Sequence, residues 1–243
     1  MLAGVVITLL FWSRLAKRDE RLFLIYLLAL VGAFLGAKMV YFASEGWLFR
    51  DSPERWVIWA TGKSILGALL GGYVSVELAK RLLHYRAVTG DWFAMIVPAG
   101  IIIGRVGCLF HGCCPGVPYA PAWYTMKDRF GVPCWPAVPV EIGFNALMIL
   151  SFFLLRRTHR FTGQHFHLYL ICYGTFRFLH EFARATPRIL GPFSGYQIAS
   201  LLVVLLGIYG FRRRAAEKAR AAASFLPETR DDGEIPIIPH PFA

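Results

Sequence analysis

Apolar runs alternate with short basic stretches along almost the whole chain. The runs cover residues 2–12, 22–43, 64–78, 92–110, 138–155, 168–178 and 196–211. A helix needs roughly 20 residues to cross the apolar part of a bilayer, so the first run is short for a complete span. The pattern predicts an all-α polytopic membrane protein with about seven transmembrane helices.

The basic residues predict how these helices are oriented. They concentrate after the first, third, fifth and seventh runs, as at Arg14, Lys80, Arg156 and Arg212, and are fewer in the other loops. Loops rich in lysine and arginine stay in the cytoplasm. We therefore expect the N-terminus outside the membrane and the C-terminus inside.

Composition and charge agree with a membrane protein. The chain is 56% hydrophobic and carries 17% charged residues, against about 25% in soluble domains. Its net charge of +11 is explained by topology and by contact with anionic lipids, and nucleic-acid binding is not expected. Residues 1–211 are predicted to form the membrane domain, and residues 212–243 a basic, largely disordered cytoplasmic tail.

Ionisable residues within the apolar runs are the candidates for chemistry, because charges at membrane depth are costly and face a protein interior. Arg105 lies near the end of the fourth run, with Gly104 and Gly107 leaving space around it. A polar stripe begins within the sixth run and continues beyond its end. At helical spacing, one face carries Tyr173, Arg177, Glu181 and Arg184. Such a face predicts contact with a cavity or another helix.

Two segments carry a family resemblance. Residues 104–116 read Gly-Arg-Val-Gly-Cys-Leu-Phe-His-Gly-Cys-Cys-Pro-Gly, which resembles the signature of the prolipoprotein diacylglyceryl transferases in a cysteine-rich version. Residues 173–184 resemble the second signature of that family, Tyr-Gly-x-x-Arg-Phe-x-x-Glu-x-x-Arg, at all four polar positions. The resemblance implies a seven-helix fold with its N-terminus outside.

Three weaker matches show departures from the family pattern. Lys38 stands where the family has arginine, in a segment that also contains Tyr41. Glu141 matches, although Trp135 replaces a histidine upstream of it. In residues 64–71 the position of the family's essential histidine is occupied by Leu66.

The resemblance implies a reaction at the outer leaflet of a bacterial plasma (inner) membrane. A diacylglyceryl group passes from phosphatidylglycerol to the conserved cysteine of a prolipoprotein signal peptide, and no cofactor or metal is expected. Arginine suits the leaving phosphate because its guanidinium makes paired, charge-assisted hydrogen bonds. We therefore expect catalytic roles for Arg105 and Arg177.

The other candidates would support that reaction. Glu141 and Glu181 would orient the arginines, and substrate-binding roles are expected for Lys38, Tyr41, Tyr173, Arg184, Gly104 and Gly107. Because Leu66 cannot accept a proton, His111 is our candidate for the base that ionises the thiol, with His180 as the runner-up.

The cysteines leave other functions open. Cys108, Cys113 and Cys114 lie close together in sequence, and Cys134 follows in the same outer loop. Cys113 or Cys114 could form a disulfide with Cys134, or the thiols could be inert. The cluster could also serve redox or metal chemistry, although the adjacent cysteines do not match the ligand spacing of common zinc sites. A membrane thiol-redox or metal-binding protein, and a lipid-binding paralogue without turnover, are the alternatives to a transferase.

Overall fold

A computed structural model describes residues 20–85, 89–128 and 130–223, and this part of the chain is predominantly helical. The helices are α1 (Glu20–Ser44), α2 (Arg55–Thr61), α3 (Ile65–Leu82), α4 (Gly90–His111), α5 (Ala137–Arg157), α6 (His165–His180) and α7 (Gly195–Ala223). Two 3-10 turns cover Gly46–Phe49 and Glu181–Ala183, and two short strands, β1 (Met126–Lys127) and β2 (Pro133–Cys134), form an antiparallel hairpin. The predicted all-α class is confirmed.

Six of the seven predicted segments coincide with α1 and α3–α7; the first run lies outside the described residues. Within the described ranges, four helices are long and apolar enough to cross a membrane. A fifth span results if α2 and α3, bent by 53° to each other, are counted as one. Helix α7 continues to Ala223, so the first part of the predicted tail is helical, with Arg213 paired to Glu77 and Glu217. Residues 224–243 lie outside the described residues.

Helices α1 and α3 pack with their backbones in close contact. A Cβ atom built at Gly36 would lie 2.3 Å from the carbonyl oxygen of Gly67, and one built at Gly67 would lie 2.2 Å from the carbonyl oxygen of Gly36. Small residues allow this approach, which is typical of helix pairs in membranes. The N-cap Ser64 begins α3 by accepting a hydrogen bond from the Gly67 N–H, and Leu66 is buried in the main core.

Three helices bring their polar ends together. Arg105 lies toward the C-terminal end of α4, Glu141 near the start of α5 and Arg177 near the end of α6. Their side chains are in contact, so these three ends meet on one side of the molecule. The opposite end of α5 carries Arg156, whose guanidinium lies over the ring of Trp92 near the start of α4.

The loop between α4 and α5 packs against this polar end. The Val117 N–H donates to the carbonyl of Ala183, at 3.0 Å, and Gly116 forms an isolated β-bridge with Arg184. A Cβ at Gly116 would lie 2.4 Å from the carbonyl oxygen of Trp135. The last glycine of the 104–116 segment is therefore needed for the loop to close over the site.

Candidate active site

Glu141 lies at the centre of a buried charge cluster. Its Oε2 is 2.8 Å from Arg105 Nη2, 3.9 Å from Arg177 Nη1 and 4.0 Å from Arg184 Nη1. The hydroxyl of Tyr173 donates to its Oε1 at 2.8 Å. One carboxylate thus joins α4, α5, α6 and the turn that follows α6.

Glu181 forms the second anionic centre. Its Oε2 lies 2.9 Å from Arg177 Nη2 and 3.5 Å from Arg184 Nε, while Thr186 and Ser194 donate hydroxyl hydrogen bonds to its Oε1. The stripe predicted from helical spacing therefore faces the protein interior, and each glutamate is held by more than one partner.

The arginines of the cluster outnumber its glutamates. Three guanidiniums and two carboxylates give these five side chains a net charge of +1, and Glu45 and Cys114 also interact electrostatically with Arg184. Several buried guanidinium nitrogens make no hydrogen bond within the described part of the chain, among them Arg105 Nε, Arg177 Nε and Arg177 Nη1. Burial, with the charges of Arg177 and Arg105, lowers the pKa of Arg184. An anion with several oxygen acceptors, such as a phosphate, would satisfy these donors.

Two residues predicted to bind substrate, Lys38 and Tyr41, contact the short helix α2. The ammonium of Lys38 donates to the carbonyls of Trp59, Ala60 and Gly62, so all three of its N–H groups have backbone partners at the end of α2. The buried ring of Tyr41 packs against Gly62, and its hydroxyl is 3.5 Å from the carbonyl of Ile58.

Gly104 and Gly107 face open space. A Cβ built at either would meet no atom within 4 Å. Gly104, next to Arg105, also lines a mostly apolar cavity of about 330 Å³. The cavity lies among α1, α3, α4 and α6 and continues toward Lys80 and Arg214. The apolar space therefore reaches Gly104, the residue before Arg105, although the arginines and glutamates of the cluster do not line it.

The three positions considered for a base differ in environment. Leu66 is buried and apolar, whereas His111 is exposed at the end of α4. His180 is buried and stacks on Phe176 with 4.9 Å between ring centroids. Neither His180 nitrogen has a hydrogen-bond partner in the described ranges.

Sequence reasoning missed Glu45. This half-buried carboxyl follows α1, hydrogen-bonds to Tyr196 and interacts electrostatically with Arg184 and Glu181. Burial raises its pKa. The sequence shows a glutamate close to the end of an apolar run, but it does not show that this glutamate interacts with Glu181, Arg184 and Tyr196, which lie more than a hundred residues later.

Three cysteines at the C-terminal end of α4 lie close together without forming a disulfide. All five cysteines carry free thiols, so the disulfide to Cys134 is not present. The sulfur atoms of Cys108, Cys113 and Cys114 lie within 4.8 Å of one another, and Arg105 Nη1 is 3.9 Å from Cys108 Sγ. A hydrogen bond from Cys108, together with the charges of Arg105 and Arg184, lowers the pKa of Cys114 to about 4, while burial raises that of Cys113.

Comparison with known proteins identifies the family. Residues 1–213 match the model of the prolipoprotein diacylglyceryl transferase family. The chain is similar to proteins named phosphatidylglycerol–prolipoprotein diacylglyceryl transferase. The one from Clostridium tetani is 28% identical, over 86% of this chain and 88% of the relative. That from Sodalis glossinidius is 32% identical, over 73% and 72%, and that from Erwinia tasmaniensis is 30% identical, over 85% and 82%. This chain, with its apolar helices, is a bacterial membrane protein that belongs to the prolipoprotein diacylglyceryl transferase family.

Proposed function

We propose that this protein transfers a diacylglyceryl group from phosphatidylglycerol to the cysteine thiol of a prolipoprotein signal peptide. The observation that carries the proposal is the buried cluster of three arginines and two glutamates, in which several guanidinium N–H groups have no hydrogen-bond partner among the described residues. The reaction releases glycerol phosphate, whose phosphate must be stabilised as an anion. Preorganised arginines supply that stabilisation.

Arg105 and Arg177 bind the phosphate in this proposal. Each guanidinium gives one nitrogen to a glutamate, at 2.8 Å from Glu141 and 2.9 Å from Glu181, which fixes its orientation. Arg105 Nε and the Nε and Nη1 of Arg177, which make no hydrogen bond within the described ranges, are left to donate to phosphate oxygens. Arg184, which contacts both glutamates, adds the third positive charge at the headgroup.

The roles of the aromatic and small residues follow from their contacts. Tyr173 holds Glu141 through its hydroxyl. The Tyr41 hydroxyl has only a long contact to Ile58, so we assign it to the headgroup. Lys38 has all its N–H groups on carbonyls, so we assign it to fixing α2 rather than to binding substrate.

The apolar cavity beside Gly104 suits an acyl chain of the lipid donor. It reaches Gly104, the residue before Arg105, and its walls are mainly aliphatic and aromatic side chains. A side chain at Gly104 would extend into open space and narrow the entrance between headgroup and acyl chain. The arrangement supports a lipid with a phosphate head and long apolar tails as the donor.

The acceptor thiol has a pKa of about 8.5 and must lose its proton before it attacks. We assign the base to His111. It lies one helical turn after Cys108, and residues three apart on a helix are neighbours. Cys108 in turn contacts Arg105. His111 is exposed, so it can exchange its proton with solvent.

The orientation inferred from the basic residues puts this site toward the outer leaflet of the plasma membrane. Arg105, Glu141 and Arg177 lie at one end of the bundle, while the basic residues Lys80, Arg156 and Arg213 lie at helix ends predicted to be cytoplasmic. The proposed topology has the seven spans predicted from the sequence, with α6 as a short one; the first predicted span, residues 2–12, lies outside the described residues. This places the N-terminus outside and the C-terminus inside.

Complementation tests the proposed function. The chain is expressed in cells depleted of their own diacylglyceryl transferase, beside the impaired variant Arg177→Lys. We expect growth and lipid-modified prolipoprotein with the wild-type chain, and less of both with Arg177→Lys at equal expression. A lipid-binding paralogue would bind phosphatidylglycerol without rescue, and a thiol-redox protein would not depend on Arg177.

A further inference from the structure

Three thiols meet at the C-terminal end of α4. The sulfur atoms of Cys108, Cys113 and Cys114 lie within 4.8 Å of one another, and those of Cys113 and Cys114 are 3.8 Å apart. A zinc–sulfur bond of about 2.3 Å in a tetrahedral site puts two ligand sulfurs about 3.8 Å apart. The thiols are therefore close to the arrangement that a thiophilic metal ion requires.

The local backbone explains how adjacent cysteines share one site. Gly112 ends α4 in the left-handed conformation, with φ of 58°. Its N–H bonds to the carbonyl of Leu109, and the Cys113 N–H bonds to that of Cys108, which is the Schellman arrangement. Cys114 is also left-handed, with φ of 63°, which is uncommon for a residue with a side chain. These two turns fold the chain back onto Cys108.

The surroundings suit a metal bound by thiolates. Arg105 contacts Cys108 at 3.9 Å, and Arg105 and Arg184 both interact electrostatically with Cys114, so thiolate charge is compensated. A cavity of about 30 Å³ adjoins the three cysteines, with Cys134, Asp128 and Trp135 also in its lining. One water needs about 10–15 Å³ by the same kind of measure, so an ion and a further ligand have room.

We propose that Cys108, Cys113 and Cys114 bind a zinc ion whose fourth position takes the acceptor thiol. Structural zinc sites use four protein ligands, whereas catalytic sites use three and keep one open. All three sulfurs here come from one seven-residue segment, so the ion would join no distant parts of the fold. Soft thiolate ligands favour zinc or copper(I) over magnesium or calcium.

The chemistry rests on the transferase function proposed above. The prolipoprotein thiol binds the zinc as a thiolate, because a coordinated thiol loses its proton, and that proton passes to His111. The thiolate sulfur then forms a bond to the terminal glyceryl carbon, and the bond from that carbon to the phosphate oxygen breaks. The electron pair stays on the glycerol phosphate, which Arg105 and Arg177 hold. Zinc keeps its oxidation state, and the thioether product is a weaker ligand that can leave.

Metal analysis of the whole chain tests the site. The protein is purified in detergent with reduced thiols, incubated with Zn²⁺ alone and desalted, and its zinc is counted by mass spectrometry. We expect one zinc per chain, lost in Cys113→Ser and Cys114→Ser but retained in the matched controls Cys134→Ser and Cys172→Ser. Arg105→Lys should keep its zinc and lose activity. Zinc-free wild-type protein, or equal zinc in Cys113→Ser, Cys114→Ser and the wild type, would overturn the site.

Cobalt substitution tests the open position. With Co²⁺ in the site, adding an acceptor peptide that contains cysteine should change the sulfur-to-cobalt absorption, and the same peptide with serine should not. No change with the cysteine peptide, or full transfer by metal-stripped protein, would overturn the role of the metal and leave the transferase function intact. Zinc-loaded protein that binds the cysteine peptide but makes no product would instead overturn the transferase function.

Discussion

Replacing Arg177 with lysine tests how the phosphate is bound. Arg177 gives Nη2 to Glu181 at 2.9 Å, while its Nε and Nη1 have no hydrogen-bond partner in the described ranges. A lysine has a single ammonium, which Glu181 would retain, so no donor with the same geometry would remain for the phosphate. A hydrogen bond to a charged group contributes about 1.5–3 kcal/mol. The expected loss of activity is therefore about tenfold to a hundredfold.

The assay is the initial rate of transfer from phosphatidylglycerol to a cysteine peptide, measured for Arg105→Lys and Arg177→Lys. Arg156→Lys is the matched control, because Arg156 stacks on Trp92, 4.5 Å from the ring centroid, at the other end of α5. We expect this control to stay within about twofold of the wild type in transfer rate, because Arg156 lies far from Glu141 and Arg177 and a lysine keeps its charge. Expression and thermal unfolding check that all variants are folded. Near-normal turnover in both Arg105→Lys and Arg177→Lys would refute the assignment.

Three further changes test other parts of the account. His111→Gln should lower turnover roughly a hundredfold, with a smaller loss at high pH because more of the acceptor thiol ionises without a base. The activity lost in the control His180→Gln should not return at high pH. Full activity of His111→Gln at pH 7 would exclude His111 as the base. In a cysteine-free background, Arg157→Cys should react with an impermeant thiol reagent only after the cells are opened, and labelling of intact cells would reverse the topology. Gly36→Ala would put a methyl group 2.3 Å from a backbone oxygen of α3 and should lower the free energy of unfolding by about 1–3 kcal/mol. The control Gly100→Ala, whose methyl group would meet nothing within 4 Å, should leave the unfolding temperature unchanged. Equal unfolding temperatures of the two variants would contradict the close packing of α1 and α3.

Much of the helical fold could be predicted from one-dimensional patterns. Apolar runs within a membrane have few alternatives to helices, because every backbone N–H and C=O must be paired internally. The polar stripe from Tyr173 to Arg184 followed from helical spacing alone, and its inward orientation followed from the cost of charge in lipid. The contacts of Glu141 with Arg105 and of Glu181 with Arg177 agree with the orienting roles expected for these glutamates.

Other features depend on contacts that a linear pattern does not contain. Lys38 binds carbonyls 21 to 24 residues later in the chain, and nothing in its own segment indicates that helix end. Spacing argued against a metal at Cys113 and Cys114. The left-handed turns at Gly112 and Cys114 bring their sulfurs onto Cys108, and such turns are not readable from residue order.

The most direct measurement is transfer by the purified chain itself. The protein in detergent is given phosphatidylglycerol with a labelled headgroup and a prolipoprotein peptide containing cysteine or, as a control, serine; the Erwinia tasmaniensis relative serves as the positive control. The account predicts equal amounts of thioether-linked diacylglyceryl peptide and glycerol phosphate with the cysteine peptide, and neither with the serine peptide. Binding of phosphatidylglycerol without product, under conditions in which the relative is active, would contradict it.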